Sequence, residues 1–486
     1  MINIKYYNEA FIRLDVDAGI GYELNEFFTF VVPGAKFMPQ VRNKVWDGKI
    51  RLYNVATQLL YAGLQNYVYT FAQERQYTVQ LDPALSGNIY DKNDALKFIK
   101  SLNLKYVPRD YQIDAFIHAV RNNRSLLLSP TASGKSLIIY LLTQYYKGCK
   151  LIIVPTTSLV YQMQSDFIEY GYHGDCTVIT ASESKEWKKQ INSPIVITTW
   201  QSIYKQPKTW FRDFDVVVGD EAHLFKSKSL TSIMTKLDNC KYRFGFTGTL
   251  DGTQTHKLVL EGLFGAVKKV TSSAELIDQG HLSNFKIKAI VLQYPEDIRK
   301  HVIKLTYADE MDYIVRLLSR NTFIKNLVLS LKGNTLLLFQ FVDKHGKVLY
   351  NDIKKEINNT IFPRQVYYVS GDIKANDRED IRALVEEDKD AIIVASFGTF
   401  STGINIKNLH NIIFASPTKS RIRNLQSIGR GLRKSDSKLS ATLYDIADDL
   451  TYKSKHNYTI QHFAERLKTY NEEKFEYKIY TINIKV

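Results

Sequence analysis

The sequence predicts an α/β protein with two parallel-sheet domains in tandem, preceded by a small N-terminal α/β domain. Three observations support this prediction. Short apolar runs of strand length recur from about residue 90 to about residue 450. Most of them are followed by a longer segment with helical spacing, an alternation that favours parallel sheets covered by helices on both faces. The chain of 486 residues also has room for about three domains of typical length.

The predicted strands are short and rich in Val, Ile and Leu. They comprise residues 126–128, 151–154, 195–199, 216–218 and 243–246 in the first sheet, and 336–339, 366–369, 391–395, 412–415 and 443–446 in the second. A polar, less patterned stretch around residues 272–284 separates the two sets. We therefore expect an N-terminal domain at 1–88, parallel-sheet domains at 89–280 and 281–450, and a tail at 451–486. The tail is basic and tyrosine-rich, and we expect it to pack on the second sheet as a helix and a strand rather than act as a binding arm.

Composition bounds the class of protein. Lys and Arg number 65 against 50 Asp and Glu, so the formal charge is +15 and the isoelectric point is about 9.3. This excess suits a polyanionic partner, although charge spread evenly over the surface is an alternative. Three cysteines are too few for a disulfide framework or a zinc site. No apolar run approaches the ~20 residues that span a bilayer, so we expect a soluble protein of the cytoplasm, or of the host cytoplasm if it is viral.

The segment 129–136, with the sequence SPTASGKS, has the features of a phosphate-binding loop. An apolar strand runs into a loop of small residues whose backbone N–H groups can face phosphate, and a helix follows. Lys135 would reach the β- and γ-phosphates, and Ser136 offers a hydroxyl to Mg²⁺. The loop residues expected to hold ATP are Thr131, Ala132, Ser133 and Gly134. The pattern departs from the usual one because serine and alanine stand at positions 129 and 132, where glycine is common.

A second motif, Asp220-Glu221-Ala222-His223, follows the apolar run at 216–218. Asp220 would then lie at the phosphate end of the same sheet and hold Mg²⁺. Glu221 is the candidate that orients or deprotonates the attacking water. The two motifs together indicate hydrolysis of a nucleoside triphosphate.

The segment before the phosphate loop contains Arg109 and Gln112, in the sequence PRDYQ. A glutamine amide can read both a donor and an acceptor on an adenine edge, which favours ATP. The alternative is a glutamine that opens an ordinary helix.

Polar residues also follow other strands of the first sheet. Pro155 and Thr156 (PTTSL), and Thr199 and Gln201 (TTWQS), are placed to hold a sugar-phosphate backbone, with ordinary turns as the alternative. Three residues of the DEAH and TGT motifs are candidates to link the phosphate site to the nucleic-acid binding site: His223, Thr247 and Thr249.

Taken together, these motifs resemble those of superfamily 2 helicases with a DEAH box. In the second half, Ser370-Gly371, the run TFSTGIN at 399–405 and QSIGRGLR at 426–433 continue the series, so the resemblance covers roughly residues 105–435. It implies two RecA-like domains. It also implies nucleic-acid contacts at Ser370, Gly371 and Thr399.

The last motif carries the arginines that the resemblance assigns to catalysis, Arg430 and Arg433. A guanidinium supplied from the facing domain stabilises charge on the γ-phosphate only when the cleft is closed, which ties hydrolysis to domain closure. Surface ion pairs are the alternative for these arginines. The resemblance places Gly403 and Gln426 near the nucleotide.

A basic stretch in the N-terminal domain surrounds Trp46. Five positive residues, Lys36, Arg42, Lys44, Lys49 and Arg51, stand against Asp47 alone. We expect a hairpin with Asp47-Gly48 as its turn, whose Lys44, Trp46, Lys49 and Arg51 contact nucleic acid. A solvated strand face with Trp46 in the core is about as compatible with the sequence.

A narrower resemblance, to a phage recombination helicase, is carried by the N-terminal domain and by the segments PRDYQ, GFTGTL and QSIGRGLR. It implies remodelling of Holliday junctions, D-loops, stalled forks and R-loops in recombination, replication and repair. We expect the protein to be a monomer. The implied partners are branched, duplex or single-stranded DNA, RNA–DNA hybrids, and single-strand-binding or recombination proteins. An RNA helicase and an ATP-gated nucleic-acid clamp without strand separation are the alternatives.

Overall fold

The structure is a computed structural model that describes most of the chain. The described residues are 1–180, 193–360, 363–373, 375–403, 406, 408–418, 420, 425, 427–429 and 440–485, without the side chains of 375, 376, 378, 379 and 401–403. They form two units. The first comprises residues 1–129 and 134–271, and the second comprises residues 130–133 and 272–486.

The first unit begins with a small mixed sheet of order β5-β6-β2-β1-β7 and a two-stranded ribbon, β3-β4. Its strands are β1 (Ile2–Tyr6), β2 (Phe11–Asp15), β3 (Thr29–Val31), β4 (Lys49–Arg51), β5 (Tyr53–Asn54), β6 (Leu59–Tyr61) and β7 (Val79–Leu81). Its helices are α1 (Ala18–Phe27), α2 (Pro39–Arg42) and α3 (Gln65–Glu74). The side chain of Asp17 caps α1 by accepting the Ile20 N–H at 2.9 Å, which satisfies a donor that the first helical turn leaves unpaired.

A seven-stranded parallel sheet forms the rest of the first unit, in the order β10-β11-β9-β12-β13-β8-β14. Its strands are β8 (Arg124–Leu128), β9 (Cys149–Val154), β10 (Cys176–Ile179), β11 (Ile195–Thr199), β12 (Phe214–Asp220), β13 (Tyr242–Thr247) and β14 (Val267–Lys269). The helices are α4 (Lys92–Ser101), α5 (Asp110–Asn122), α6 (Lys135–Tyr145), α7 (Thr157–Glu169), α8 (Trp200–Ile203), α9 (Lys228–Lys236) and α10 (Gln254–Phe264). The central strands are buried on both faces, as expected for a parallel sheet between helices.

The N-terminal sheet packs against this parallel sheet, and the two share one hydrophobic core. Tyr67 donates its hydroxyl to Glu261 on α10 at 2.7 Å, and Arg124 pairs with Glu9 at 3.1 Å. Gly63 lies so close to the backbone of α10 that a Cβ there would overlap the Glu261 carbonyl oxygen. The N-terminal domain is therefore fixed to the first parallel sheet by direct packing.

The second unit contains another seven-stranded parallel sheet, in the order β17-β18-β16-β19-β20-β15-β21. Its strands are β15 (Asn284–Gln293), β16 (Thr335–Phe339), β17 (Val366–Val369), β18 (Ile392–Ser396), β19 (Asn411–Phe414), β20 (Ser440–Asp449) and β21 (Tyr477–Asn483). Its helices are α11 (Ser273–Asp278), α12 (Glu296–Val302), α13 (Tyr307–Arg316), α14 (Leu318–Ser330), α15 (Lys347–Asn358), α16 (Ala375–Glu387), α17 (Phe397–Gly403) and α18 (Tyr458–Glu472).

Two buried ion pairs fasten helices of this unit to β20. Arg320 of α14 contacts Asp448 at 2.7 Å, and Arg466 of α18 contacts Asp445 at 2.8 Å. All four side chains are almost fully buried, so removing one partner would leave an uncompensated charge in the core.

Every strand predicted in the two sheets is present, and the α/β fold class is confirmed. The tail forms α18 and β21 as expected, and β21 pairs with β15. The polar stretch at 272–284 is more ordered than its composition suggests. Ser272 and Glu275 form a capping box that begins α11, and β15 follows from Asn284. Among the described residues, no helix is long and apolar enough to cross a membrane.

The predicted turn at Asp47-Gly48 is wrong. The ribbon pairs β3 with β4, and its connection runs through residues 32–48, including α2. The Asp47 side chain instead accepts the Lys49 N–H at 3.1 Å, and Gly48 has a φ of 76°, so these residues lead the chain into β4.

Candidate functional site

Three of the predicted motifs come together at one edge of the first parallel sheet. Strands β12, β13 and β8 are neighbours, and each is followed by a motif: DEAH after β12, TGT after β13 and the phosphate loop after β8. Because the strands are parallel, their carboxyl ends lie at the same edge. This edge is where ligands bind in open α/β sheets.

The phosphate loop joins β8 to α6 through two residues in the left-handed region of backbone space. Ala132 has a φ of 65° and Gly134 a φ of 76°. The Ser133 hydroxyl donates to the Pro130 carbonyl at 2.6 Å, which closes the turn. The loop delivers the chain to Lys135, the first residue of α6, so the N–H groups of this helix terminus face the loop and favour an anion.

Glycine suits position 134 for two reasons. Its φ is positive, and a Cβ would overlap the Gln112 side-chain nitrogen. Gln112 is buried, with its Nε2 donating to the Gly134 carbonyl at 3.3 Å and its Oε1 accepting the Arg109 N–H at 2.8 Å. The Arg109 guanidinium donates to the Tyr111 hydroxyl at 2.7 Å. The structure therefore places Arg109 and Gln112 beside the phosphate loop, and adenine recognition by them stays a prediction.

Lys135 and Glu221 form an ion pair between the phosphate loop and the DEAH motif. The Lys135 ammonium lies 3.5 Å from Oε1 of Glu221, and the other oxygen of Glu221 lies 3.4 Å from Nδ1 of His223. Glu221 directly follows β12 and has a φ of 49°, an unusual value for a residue with a side chain. Strained backbone of this kind clusters at functional sites, because the surrounding structure must hold it in place.

The predicted coupling residues form one hydrogen-bonded group. Nδ1 of His223 lies 3.0 Å from the Thr247 hydroxyl, which donates to the Thr249 carbonyl at 2.9 Å. Because that hydroxyl has one proton, Nδ1 of His223 must be the donor to Thr247. Both His223 and Thr247 are buried. The contacts thus run without interruption from Lys135 through Glu221 and His223 to the TGT loop.

Asp220 ends β12 and is buried, with 9% of its surface exposed. Its Oδ1 has no hydrogen-bond partner in the described part of the chain. Burial raises the pKa of the Asp220 carboxyl, the charge of Lys135 opposes this, and Glu221 adds to it. An unpartnered carboxylate oxygen beside a phosphate loop has the donor chemistry that suits a hard divalent cation.

Ser136 makes a contact that sequence reasoning missed. Its hydroxyl lies 2.9 Å from the hydroxyl of Tyr170, the residue after α7. The two residues are far apart in sequence, so only the packing of α7 beside α6 brings them together, and no sequence pattern signals the contact.

A second missed group surrounds Asp251, just after the TGT loop. Lys226 donates to its carboxylate at 2.6 Å, Thr253 donates through its hydroxyl at 2.7 Å, and His256 contacts the same carboxylate. Burial raises the pKa of Asp251, but the hydrogen bonds lower it by more, so the pKa lies below its ordinary value of 3.8. The only sequence signal was an acidic residue close behind TGT.

The predicted nucleic-acid contacts of the first unit lie in two adjacent loops. Pro155 and Thr156 follow β9, and Thr199 and Gln201 follow β11, the neighbour of β9 in the sheet. Thr156 caps α7 by accepting the Leu159 N–H at 3.4 Å. Thr199 is buried and its hydroxyl contacts Ser202 at 3.0 Å, whereas Gln201 is exposed. Gln201 is thus the more accessible of the two residues in its loop.

In the second unit, Ser370 and Gly371 follow β17, and Thr399 lies in α17 after the neighbouring strand β18. Ser370 is buried, Gly371 is exposed, and the Thr399 hydroxyl accepts from Ser396 at 2.8 Å. Gly403 is the last residue of α17. The remaining predicted residues lie outside the described part of the chain: Gln426, Arg430 and Arg433.

The basic segment of the N-terminal domain, residues 36–51, lies in and around the β3-β4 connection. Lys44 and Lys49 are exposed, whereas Arg51 is paired with Asp47. Trp46 is half-buried, and its indole N–H donates to the Lys49 carbonyl at 3.0 Å. Trp46 therefore braces the connection rather than filling the core.

Comparison with known families assigns both halves of the chain. Residues 105–252 match the family "Type III restriction enzyme, res subunit", and residues 319–435 match "Helicase conserved C-terminal domain". These matches and the two parallel sheets define an ATP-dependent helicase of superfamily 2 with two RecA-like domains. Residues 1–82 match "DNA helicase UvsW, N-terminal".

Individual relatives narrow the assignment. The chain is 36% identical over 508 aligned residues to the ATP-dependent DNA helicase uvsW of Enterobacteria phage T4, covering 99% of this chain and 100% of that protein. The crystal structure of T4 UvsW matches with a TM-score of 0.52 and 35% identity, covering 99% of each chain. The chain belongs to the UvsW family of DNA helicases.

More distant similarity extends to two further proteins. The DNA 3'-5' translocase XPB2 of Sulfurisphaera tokodaii is 23% identical, over 76% of this chain and 87% of that protein. The DNA-bound restriction-modification enzyme LlaBIII has a TM-score of 0.57 at 16% identity, covering 78% of this chain and 32% of that one, and this likeness concerns the fold alone.

Proposed function

We propose that this helicase uses ATP to remodel branched DNA, unwinding or migrating Holliday junctions, D-loops and stalled forks, and that it removes R-loops. Its setting would be recombination, replication and repair in the cytoplasm, or in the host cytoplasm if the protein is viral. The observation that carries the proposal is the contact series from Lys135 through Glu221 and His223 to Thr247. This series connects the phosphate loop with the TGT loop at one edge of the first sheet.

The ATP site is proposed to act through groups at fixed positions in the first unit. Lys135 would bind the β- and γ-phosphates, and Asp220 and Ser136 would hold Mg²⁺, which would supply positive charge to the phosphates. The orphaned oxygen of Asp220 fits this role. Glu221 orients the attacking water and accepts its proton.

Residues of the second unit, of the phosphate loop and of the segment before that loop complete the proposed ATP site. Arg430 and Arg433 would supply positive charge to the γ-phosphate, and the support for this role is the sequence motif that contains them. The remaining proposed nucleotide contacts are Arg109, Gln112, Thr131, Ala132, Ser133, Gly134, Gly403 and Gln426.

Coupling to DNA is proposed to run through His223, Thr247 and Thr249. When Glu221 changes its partners during hydrolysis, we expect His223 to move. The hydrogen bond between His223 and Thr247 would then transmit this movement to the TGT loop. The proposed DNA contacts of the two sheets are Pro155, Thr156, Thr199, Gln201, Ser370, Gly371 and Thr399. Contacts with the sugar-phosphate backbone give little sequence preference and a strong dependence on salt.

The N-terminal domain, proposed to span residues 1–88, would set the preference for branched substrates. Exposed Lys44 and Lys49 in the basic segment provide charge for a phosphate backbone, with Trp46 and Arg51 beside them. Because this domain packs rigidly on the first parallel sheet, DNA held by the basic segment keeps a fixed distance from the DEAH edge.

The test is the ATPase rate measured with matched single-stranded DNA, duplex, fork, four-way junction and RNA, together with strand displacement from the same substrates. The proposal predicts the strongest stimulation by fork and junction, with ATP-dependent displacement. Stimulation by RNA but never by DNA would overturn it. Stimulation of the ATPase by DNA without any strand displacement would favour the alternative of an ATP-gated nucleic-acid clamp.

A further inference from the structure

The hydroxyls of Ser136 and Tyr170 face each other at 2.9 Å. Ser136 is the second residue of α6, and Tyr170 caps the end of α7 with its N–H donating to the Asp166 carbonyl at 2.9 Å. The phosphate loop and the end of a neighbouring helix thus meet through two side-chain hydroxyls. Tyr170 has no role in the proposed mechanism of ATP hydrolysis.

The Tyr170 ring is held in place by other aromatic rings. Tyr140 packs against it with ring centroids 5.5 Å apart, and Tyr106 packs at 6.2 Å in an edge-on arrangement. Tyr140 lies one helical turn after Ser136, so both face Tyr170 from the same side of α6. The phenol oxygen is therefore fixed relative to the helix that presents Ser136.

The contact matters because of how a serine hydroxyl binds a cation. A hydroxyl has one proton and two lone pairs. When one lone pair of Ser136 faces Mg²⁺, its proton must point elsewhere, and an acceptor at hydrogen-bond distance fixes that direction. Groups of this kind, behind the direct ligands of a metal, orient those ligands and tune metal affinity.

We propose that Tyr170 is a positioning residue for the magnesium site: its phenol oxygen accepts the Ser136 proton and holds the Ser136 lone pairs toward the cation. This inference rests on the proposed role of Ser136 as a magnesium ligand. It assigns to a tyrosine outside every helicase motif a direct effect on metal affinity.

The test is Tyr170→Phe, which removes the hydroxyl and keeps the ring packed on Tyr140. Mn²⁺ serves as the spectroscopic probe, and its binding to the full chain with the non-hydrolysable analogue AMP-PNP is followed by electron paramagnetic resonance. We expect the affinity for Mn²⁺ to fall about tenfold, as for other residues behind a metal ligand. AMP-PNP binding measured in EDTA should stay unchanged, because it depends on a folded loop and not on the cation.

Two further variants make the result decisive. Tyr172→Phe removes a hydroxyl that donates to the Asp175 carbonyl at 3.0 Å, close to Tyr170 in the chain, and should leave Mn²⁺ affinity unchanged. Ser136→Ala tests the proposed ligand itself. In the double variant, Tyr170→Phe should cause no additional loss once Ser136 is alanine.

The outcomes separate the two proposals. If Ser136→Ala weakens Mn²⁺ binding and Tyr170→Phe does not, the positioning role of Tyr170 is overturned while the magnesium role of Ser136 stands. If Ser136→Ala has no effect, the magnesium role itself fails, and the inference fails with it. Equal losses for Tyr170→Phe and Tyr172→Phe would also overturn it, because the effect would then not depend on Ser136.

Discussion

The Lys135 ammonium lies 3.5 Å from the Glu221 carboxylate, and both side chains are largely buried. The lysine of the phosphate loop is thus paired with the acidic residue proposed to activate water. A triphosphate competes for the same ammonium, so ATP binding must exchange one anionic partner of Lys135 for another. This exchange gives Glu221 a new environment at the moment when the substrate arrives.

Replacing Glu221 with glutamine removes that competing charge and the proposed water-activating group. We expect turnover to fall at least about 100-fold, within the range for loss of a general base, while ATP binds at least as tightly as before. Turnover and the binding of a fluorescent ATP analogue measure the two effects. Glu74→Gln, at the exposed end of α3, is the control and should change neither. Near-native turnover in Glu221→Gln would remove Glu221 from its proposed role.

The coupling role of the TGT loop depends on the Thr247 hydroxyl, which contacts His223. Thr247→Val keeps the shape and deletes the hydroxyl, so we expect DNA stimulation of the ATPase to fall about fivefold or more, the loss expected for a coupling of about 1 kcal/mol. ATP affinity should change little, because Thr247 does not contact the phosphate loop through this hydroxyl. Thr247→Ser retains the hydroxyl and should stay close to wild type. Equal behaviour of the two variants would argue against coupling by this route.

The basic segment provides a prediction about salt. Alanine at Lys44, Lys49 and Arg51 should weaken binding of a four-way junction and flatten the plot of log affinity against log salt. Each lost phosphate contact reduces that slope by about 0.9. Because Arg51 is already paired with Asp47, we expect a reduction of about two contacts rather than three. The control replaces three exposed lysines of α4: Lys92, Lys97 and Lys100. An unchanged slope, or the same change in the control, would contradict the proposed contact.

We expect His345 to make the stability of the second parallel sheet depend on pH. It is fully buried and lies 3.0 Å from the Ser416 hydroxyl. Burial, with a smaller contribution from Arg320, lowers its pKa from 6.5 to about 3. Above pH 6.5 the ring is neutral in the folded and unfolded states. Between pH 6.5 and 3 the unfolded chain binds a proton that the folded chain does not, so stability falls as pH falls.

The expected loss approaches about 1.4 kcal/mol per pH unit below 6.5. Hydrogen exchange of β16 at pH 7 and pH 5, corrected for intrinsic rates, measures the opening free energy of this sheet. His345→Gln should reduce the difference between the two pH values, whereas His301→Gln, at an exposed position, should not. An identical pH dependence in wild type and His345→Gln would contradict this assignment.

The sequence predicts most inner strands of the parallel sheets because they are apolar runs, and several of these runs end in a motif. β12 and β13 illustrate this, since the acidic motif and TGT follow them directly. In the two parallel sheets, three strands were not predicted, β10, β14 and β15, and the strand expected in the tail was predicted without a range. In β15, lysines alternate with apolar residues along the strand, and its burial alternates in step, so it lacks the continuous apolar run that marks a fully buried strand.

The sequence predicts the positions of Lys135 and Asp220 at the carboxyl edge of the first sheet, because their motifs follow the apolar strands β8 and β12, and the roles of both residues stay predictions. The contacts of Ser136 with Tyr170, and of Lys226 with Asp251, were not predicted because they arise from packing between elements distant in sequence. The turn proposed at Asp47-Gly48 failed for a related reason. The dipeptide favours a turn locally, but pairing of β3 with β4 decides where the ribbon closes.

In the proposed function, ATP hydrolysis at the site of Lys135 drives the movement of DNA branches. The most direct measurement follows conversion of a mobile four-way junction by wild type and by Lys135→Ala, at protein concentrations that saturate the junction. We predict ATP-dependent conversion by wild type and none by Lys135→Ala, although both bind the junction. Conversion at the wild-type rate by Lys135→Ala would contradict this proposal.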